Sequence, residues 1–281
     1  MRICMRPVNL GRLVDIARIT QNNTTITPVI VSTELSCSES RAVEILDEMC
    51  DLSLLEKEDK TYTTTPLIQD FREAIIHENW EAVHYIFQDH AHYHAFYEMV
   101  CQKKSATLDQ LSDELAKQGT PHFNKTSMDV VSDWAERIGS VQRNVQNGEI
   151  YPVLQNSIDF KTLLLEIYHE LNYTHANFLR QTYVEIPKLR ETLCQRAFLS
   201  RSQFDSLLTA LCLKNIGKLE LSGAPLTTHA KKTAKKIKHV SSISYSDRLS
   251  MKLTSDQFLS GIQINGRMYY YLAYHGGELD E

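Results

Sequence analysis

Glycine and proline are scarce in this 281-residue chain, at ten and seven residues. They build no glycine–serine or proline-rich stretch, so no flexible linker divides the sequence. Its helical segments are expected to join the rest into one elongated body. The patterns GxxxxGKS/T and GxGxxG are missing, which removes nucleotide binding through a glycine loop. No GxSxG elbow marks a serine nucleophile. No run of about 18 apolar residues occurs, which excludes a membrane-spanning helix. Met1 to Leu10 holds no apolar core of the kind a secretory leader needs, so none is expected. The six cysteines (Cys4, Cys37, Cys50, Cys101, Cys194, Cys212) form no CxxC pair and read as reduced, partly buried thiols of the cytoplasm. What is present is a globular composition, 42% hydrophobic and 9% aromatic, in a length that suggests about two domains.

Charge is divided unevenly. Residues 1–140 hold 22 acidic against 13 basic side chains, whereas residues 180–270 hold 15 basic against 6 acidic. Such asymmetry argues for two jobs in one chain. The densest basic element, Lys231, Lys232, Lys235, Lys236 and Lys238 with His229 and His239 beside it, is either a solvated face or an arm for phosphates.

One pattern of elements recurs: helix, short helix, longer helix, two-stranded hairpin. Leu10, Leu13, Val14, Ala17 and Ile19 mark the first helix, and Pro28 opens a second through Leu35. Ser38 caps a third that carries Ala42, Ile45, Leu46 and Met49. Leu54 to Thr65 then reads as strand, polar turn and strand. A second copy spans about 105–153. Its helices are marked by Leu108, Leu111 and Leu115 and by Met128, Val131, Trp134 and Ile138, and its hairpin should turn at Asn147-Gly148, a type I′ signal. The third begins near Ile186-Pro187. Its later helix carries Phe204, Leu207, Leu208 and Leu211, its strands are Gly217–Leu221 and Arg267–Tyr274, and a second Asn-Gly turn lies at Asn265-Gly266.

On these residues, chiefly Ser38–Met49 with Leu54–Thr65 and Ser200–Leu213 with Lys218–Leu221, the chain resembles the winged helix-turn-helix superfamily over about three fifths of its length. The resemblance implies a mainly α fold with small antiparallel β hairpins (α+β), arranged as tandem winged-helix modules joined by helices. The expected divisions are a module at 1–66, connecting helices at 67–104, a second module at 105–155, a connecting helix at 156–183, and a third module at 184–281 with a basic insertion at 227–240.

The longer helices differ in charge. The first bears Glu39, Glu44, Asp47, Glu48 and Asp51 against Arg41, and the second Asp129, Asp133 and Glu136 against Lys125 and Arg137. Phosphates repel such faces, so these modules are expected to dock protein. The third carries Arg201, Gln203 and Lys214 with Asp205 as its only acid, and Arg196 precedes it. Arginine and glutamine are base-edge readers, so DNA contact is expected from Arg196, Arg201, Gln203, Lys214, Lys231, Lys232, Lys235, Lys236 and Lys238.

Catalysis is not expected, and neither is a cofactor. The one dense ligand-type cluster, His90, His92 and His94 with Glu98, places His90, His94 and Glu98 on one helical face, a minority case for a metal-dependent enzyme. Tyr269, Tyr270, Tyr271 and Tyr274 read as strand packing, with base stacking as the alternative. The sequence thus suggests a non-catalytic, cytoplasmic, DNA-associated protein with a protein partner and no membrane role. A pure interaction subunit is the rival reading.

Overall fold

The computed structural model describes residues 5–155, 157–173, 183–223 and 259–280. These fall into two compact units, one formed by the chain to Arg143 with Ile150–Pro152, the other by Asn144–Glu149 and the described residues from Val153 onward. The architecture is mainly helical with small antiparallel sheets, as the sequence implied. Among the described residues no helix is long and apolar enough to cross a membrane.

In the first unit, α1 (Leu10–Ile19) starts where the Asn9 side chain accepts the Arg12 N–H at 2.9 Å. A two-residue strand, β1 (Thr25–Ile26), follows; it is too short to leave a periodic signal in sequence. α2 (Pro28–Glu34) has proline at its first position, and α3 (Glu39–Asp51) is capped by Ser38, whose hydroxyl accepts the Arg41 N–H at 3.2 Å. β2 (Leu55–Glu58) and β3 (Thr61–Thr64) form the hairpin, and β3 lies between β2 and β1. α4 (Leu67–Ile76) and α5 (Trp80–Phe87) come next.

The same order then recurs. α6 (Ala91–Lys103) leads to a single bridge residue, Ala106, which pairs antiparallel with Ile150. α7 (Leu108–Gln118), α8 (Lys125–Ile138), β4 (Val141–Arg143) and β5 (Ile150–Pro152) complete it. By element order this occurrence begins at α6, ahead of residue 105, where apolar periodicity alone places its start. The core of the unit centres on Trp134, fully buried. Its ring meets Phe87 edge-on at 5.1 Å, and its indole N–H donates to the Val8 carbonyl at 2.9 Å.

The second unit holds α9 (Phe160–Tyr173), β6 (Tyr183–Glu185), α10 (Ile186–Ala197), α11 (Arg201–Lys214), β7 (Leu219–Gly223), β8 (Ile262–Ile264) and β9 (Arg267–Tyr274). β9 is central, flanked by β6 and β7, with β8 also paired to it. The order is again helix, strand, helix, helix and strands, with α9 in the first-helix position.

The two Asn-Gly turns behave differently. Asn265 and Gly266 both have positive φ, 49° and 77°, as a type I′ hairpin between β8 and β9 requires. At Asn147-Gly148 only the glycine has positive φ, at 75°. That loop closes four residues wide, through Asn144 N–H to the Glu149 carbonyl and Gly148 N–H to the Asn144 carbonyl, each 2.8 Å. The Asn147 amide oxygen instead accepts the Glu149 N–H at 2.9 Å, so the expected two-residue turn does not form.

Candidate nucleic-acid interface

Two arginines expected at DNA sit in ion pairs of the second unit. Arg201 opens α11 and grips both carboxylate oxygens of Glu191 on α10, Nε to Oε1 at 2.6 Å and Nη2 to Oε2 at 2.8 Å. Glu191 is completely buried and also accepts the Val145 N–H at 2.9 Å. A buried carboxylate needs such a partner, so the Arg201 guanidinium is a clamp between α10 and α11 rather than a free reader of base edges. Arg196, in the last turn of α10, reaches Glu170 of α9 at 2.7 and 3.0 Å, and this pairing holds the Glu170 carboxyl below its usual range.

Gln203 is likewise occupied. Its amide oxygen accepts the Ser200 N–H at 2.9 Å while the Ser200 hydroxyl accepts the Gln203 N–H at 3.1 Å, a complete capping box. In sequence this glutamine reads as a base contact because residue type alone does not separate a cap from a reader. Asp205, the lone acid of α11, pairs with the buried Arg190 at 2.9 Å. Burial raises the Asp205 carboxyl, against the pull of that guanidinium. Lys214 is exposed in the last turn of α11. Lys231, Lys232, Lys235, Lys236 and Lys238 lie outside the described residues, between β7 and β8 in chain order.

The solvent side of α11 and the turn that follows it carry a feature that residue counts do not reveal. Leu207, Leu213 and Ile216 are 38%, 58% and 82% exposed, with Ser202, Ser206 and Ala210 beside them. By spacing, Leu207 reads as a continuation of the inner face. Three tyrosines of β9 make ring contacts: Tyr270 is buried, its ring edge-on to Tyr271 at 5.1 Å, and the Tyr274 ring stands perpendicular to Tyr168, while Tyr269 is half-buried.

The acids of α3 are a correction of another kind. Against Arg41 alone they count as an unbalanced acidic face, yet Arg6 binds three of them: Asp51 at 2.6 Å, Asp47 at 3.0 Å and Glu48 at 3.4 Å. Glu48 is fully buried and also accepts His90 Nε2–H at 3.0 Å. Burial lifts the Asp47 carboxyl, but hydrogen bonds from Lys57 and Tyr62 outweigh it and hold the group below its ordinary range. Arg6 gives no sign of this in sequence because it lies 41 to 45 residues away. On α8, Asp133 and Glu136 are similarly paired, with Arg137 and Arg143.

The histidines do not converge. His90 caps α6, its Nδ1 accepting the Tyr93 N–H, whereas His92 Nε2 donates to the His122 carbonyl and His94 Nδ1 to Gln88 Oε1. Among the described residues no group of three or more His, Cys, Asp or Glu side chains could hold a metal ion. No protein-family model matches the chain, and no curated protein matches it.

Proposed function

We propose that the chain is a non-catalytic, cytoplasmic, DNA-associated protein of tandem winged-helix modules. Its third module contacts the phosphate backbone through the lysine-rich insertion, and the first unit docks a protein partner. The winged-helix reading is supported by element order: helix, strand or bridge, helix, helix and strands occurs three times. In the three-stranded sheet of the first unit and the four-stranded sheet of the second, the last strand, β3 or β9, lies between two earlier ones.

The observation that carries the DNA reading is the place of the basic segment. Residues 224–258, with six lysines and one arginine against two aspartates, fall between β7 and β8, two strands that both pair with β9. That is the position of a wing. With Arg196, Arg201 and Gln203 each engaged by a neighbouring group of the second unit, the contact is to phosphates and carries little sequence preference.

Fluorescence anisotropy with labelled duplex at two salt concentrations tests this. Binding should weaken steeply with salt. Replacing Lys231, Lys232, Lys235 and Lys236 with alanine should lower the slope of log K against log salt by about 3–4, at roughly 0.9 for each phosphate no longer neutralised. Failure to bind at low salt would overturn the DNA reading.

The exposed Leu207, Leu213 and Ile216 favour a second reading, a pure protein-interaction subunit. It expects a partner complex that survives moderate salt and is abolished by Leu213→Asp or Ile216→Asp.

A further inference from the structure

A trough of about 710 Å³ lies between α1 and α4 of the first unit, within the size range of small-molecule sites. Its floor is apolar: Val14 and Ala17 from α1, Ile75 and Ile76 from α4. Polar side chains rim it, with Arg18 and Gln21 on one side and Gln69, Arg72 and Glu73 on the other. Arg72 stands out among them. It is half-buried, yet among the described residues its guanidinium makes no hydrogen bond or ion pair, even with Glu73 beside it. A partly desolvated cation is better stabilised by an anion than a fully hydrated one would be. One turn further along α4, Ile76 is 72% exposed.

The trough therefore offers one half-buried, unpartnered cationic group, Arg72, and one open apolar group, a turn apart over an apolar floor, with the exposed Arg18 on the opposite rim. A docked helix needs a row of anchors at i, i+3 or i+4 and i+7, and here it would find a single exposed one, since Val14, Ala17 and Ile75 are already at least nine-tenths buried. A small ligand needs only one. We propose that this trough binds a small amphipathic carboxylate, its anionic head on Arg72 and its apolar body on Ile76 and the floor between the helices. Glu73 and Glu78 are exposed carboxylates near the head, and solvent screens their repulsion; removing them should tighten binding.

The test is an amide-resolved NMR titration of the full chain with decanoate, kept below its micelle-forming concentration, with decanol and acetate in parallel. Decanoate should move the amides of residues 14–21 and 69–78, whereas decanol and acetate should not at the same concentration. Arg72→Ala should weaken decanoate about tenfold, the loss of one charge-assisted hydrogen bond. Because Arg72 has no partner to abandon, that variant should melt like the wild type. Glu73→Gln with Glu78→Gln should bind decanoate more tightly. Absence of shifts in those two segments, equal binding of decanol, or unchanged affinity in Arg72→Ala would each overturn the proposal.

Discussion

At the level of single residues, the described part of this protein turns several charges inward, where each depends on its partners. Glu191 is fully buried and Arg201 is 13% exposed, so Arg201→Ala leaves a carboxylate stranded in a dry site. Breaking one side of such a pair costs about 3–5 kcal/mol, to be read in urea or thermal unfolding. Unchanged stability with weakened DNA affinity would instead mark Arg201 as a contact to DNA. Histidine provides a second case. His84 Nδ1–H donates to the Tyr93 hydroxyl, which donates to Ser140, while His84 Nε2 accepts from the Gln88 amide and the Gln88 oxygen accepts from His94. Each link has one direction, and the neutral ring of His84 sets it. Burial holds His84 and His92 below their ordinary value of 6.5. The unfolded chain therefore takes up more protons than the folded one once the pH drops below about 6.5, and stability falls from there downward. Urea midpoints at pH 7.5 and 5.5 should show the drop, and His84→Gln should reduce it.

Individual elements show which parts of the fold were legible in sequence and which were not. α1, α2, α3, α7, α8 and α11 follow apolar periodicity and local caps, and both signals are written within a few neighbouring residues. β1 and β6, with two and three residues, are held by cross-strand partners far away in sequence and have no local signature. The clamps failed to show for the same reason: nothing near Arg6 names Glu48, and Gln203 looks alike as a cap or as a reader. At Asn265-Gly266 the local signal and the structure agree, and that hairpin supplies a sharp test. Gly261, just before β8, lies so close to β9 that an ideal Cβ would stand 1.8 Å from the Tyr269 carbonyl oxygen. Gly261→Ala must push the strands apart and should lower stability by about 1–3 kcal/mol. At Gly223 the nearest atom to such a Cβ is 3.9 Å away, so Gly223→Ala should be neutral or slightly stabilising, and the two melting curves compared check the contrast.

For the molecule as a whole, the charge asymmetry remains the clearest functional signal, but it changes meaning once the structure is known. The acidic excess of the first half includes carboxylates neutralised by Arg6, Lys57, Arg137 and Arg143, so less of it faces solvent than the count implies. In the second unit Arg190, Arg196 and Arg201 are likewise paired with carboxylates, so part of the basic excess there is neutralised as well. The central position of β9 has a temporal consequence. β6, β7 and β8 all precede it in the chain, so during synthesis each waits with unpaired edges until residues 267–274 leave the ribosome. Until then their exposed amides and carbonyls offer a template to any other strand nearby, and the time spent translating residues 224–258 lengthens that wait for β6 and β7.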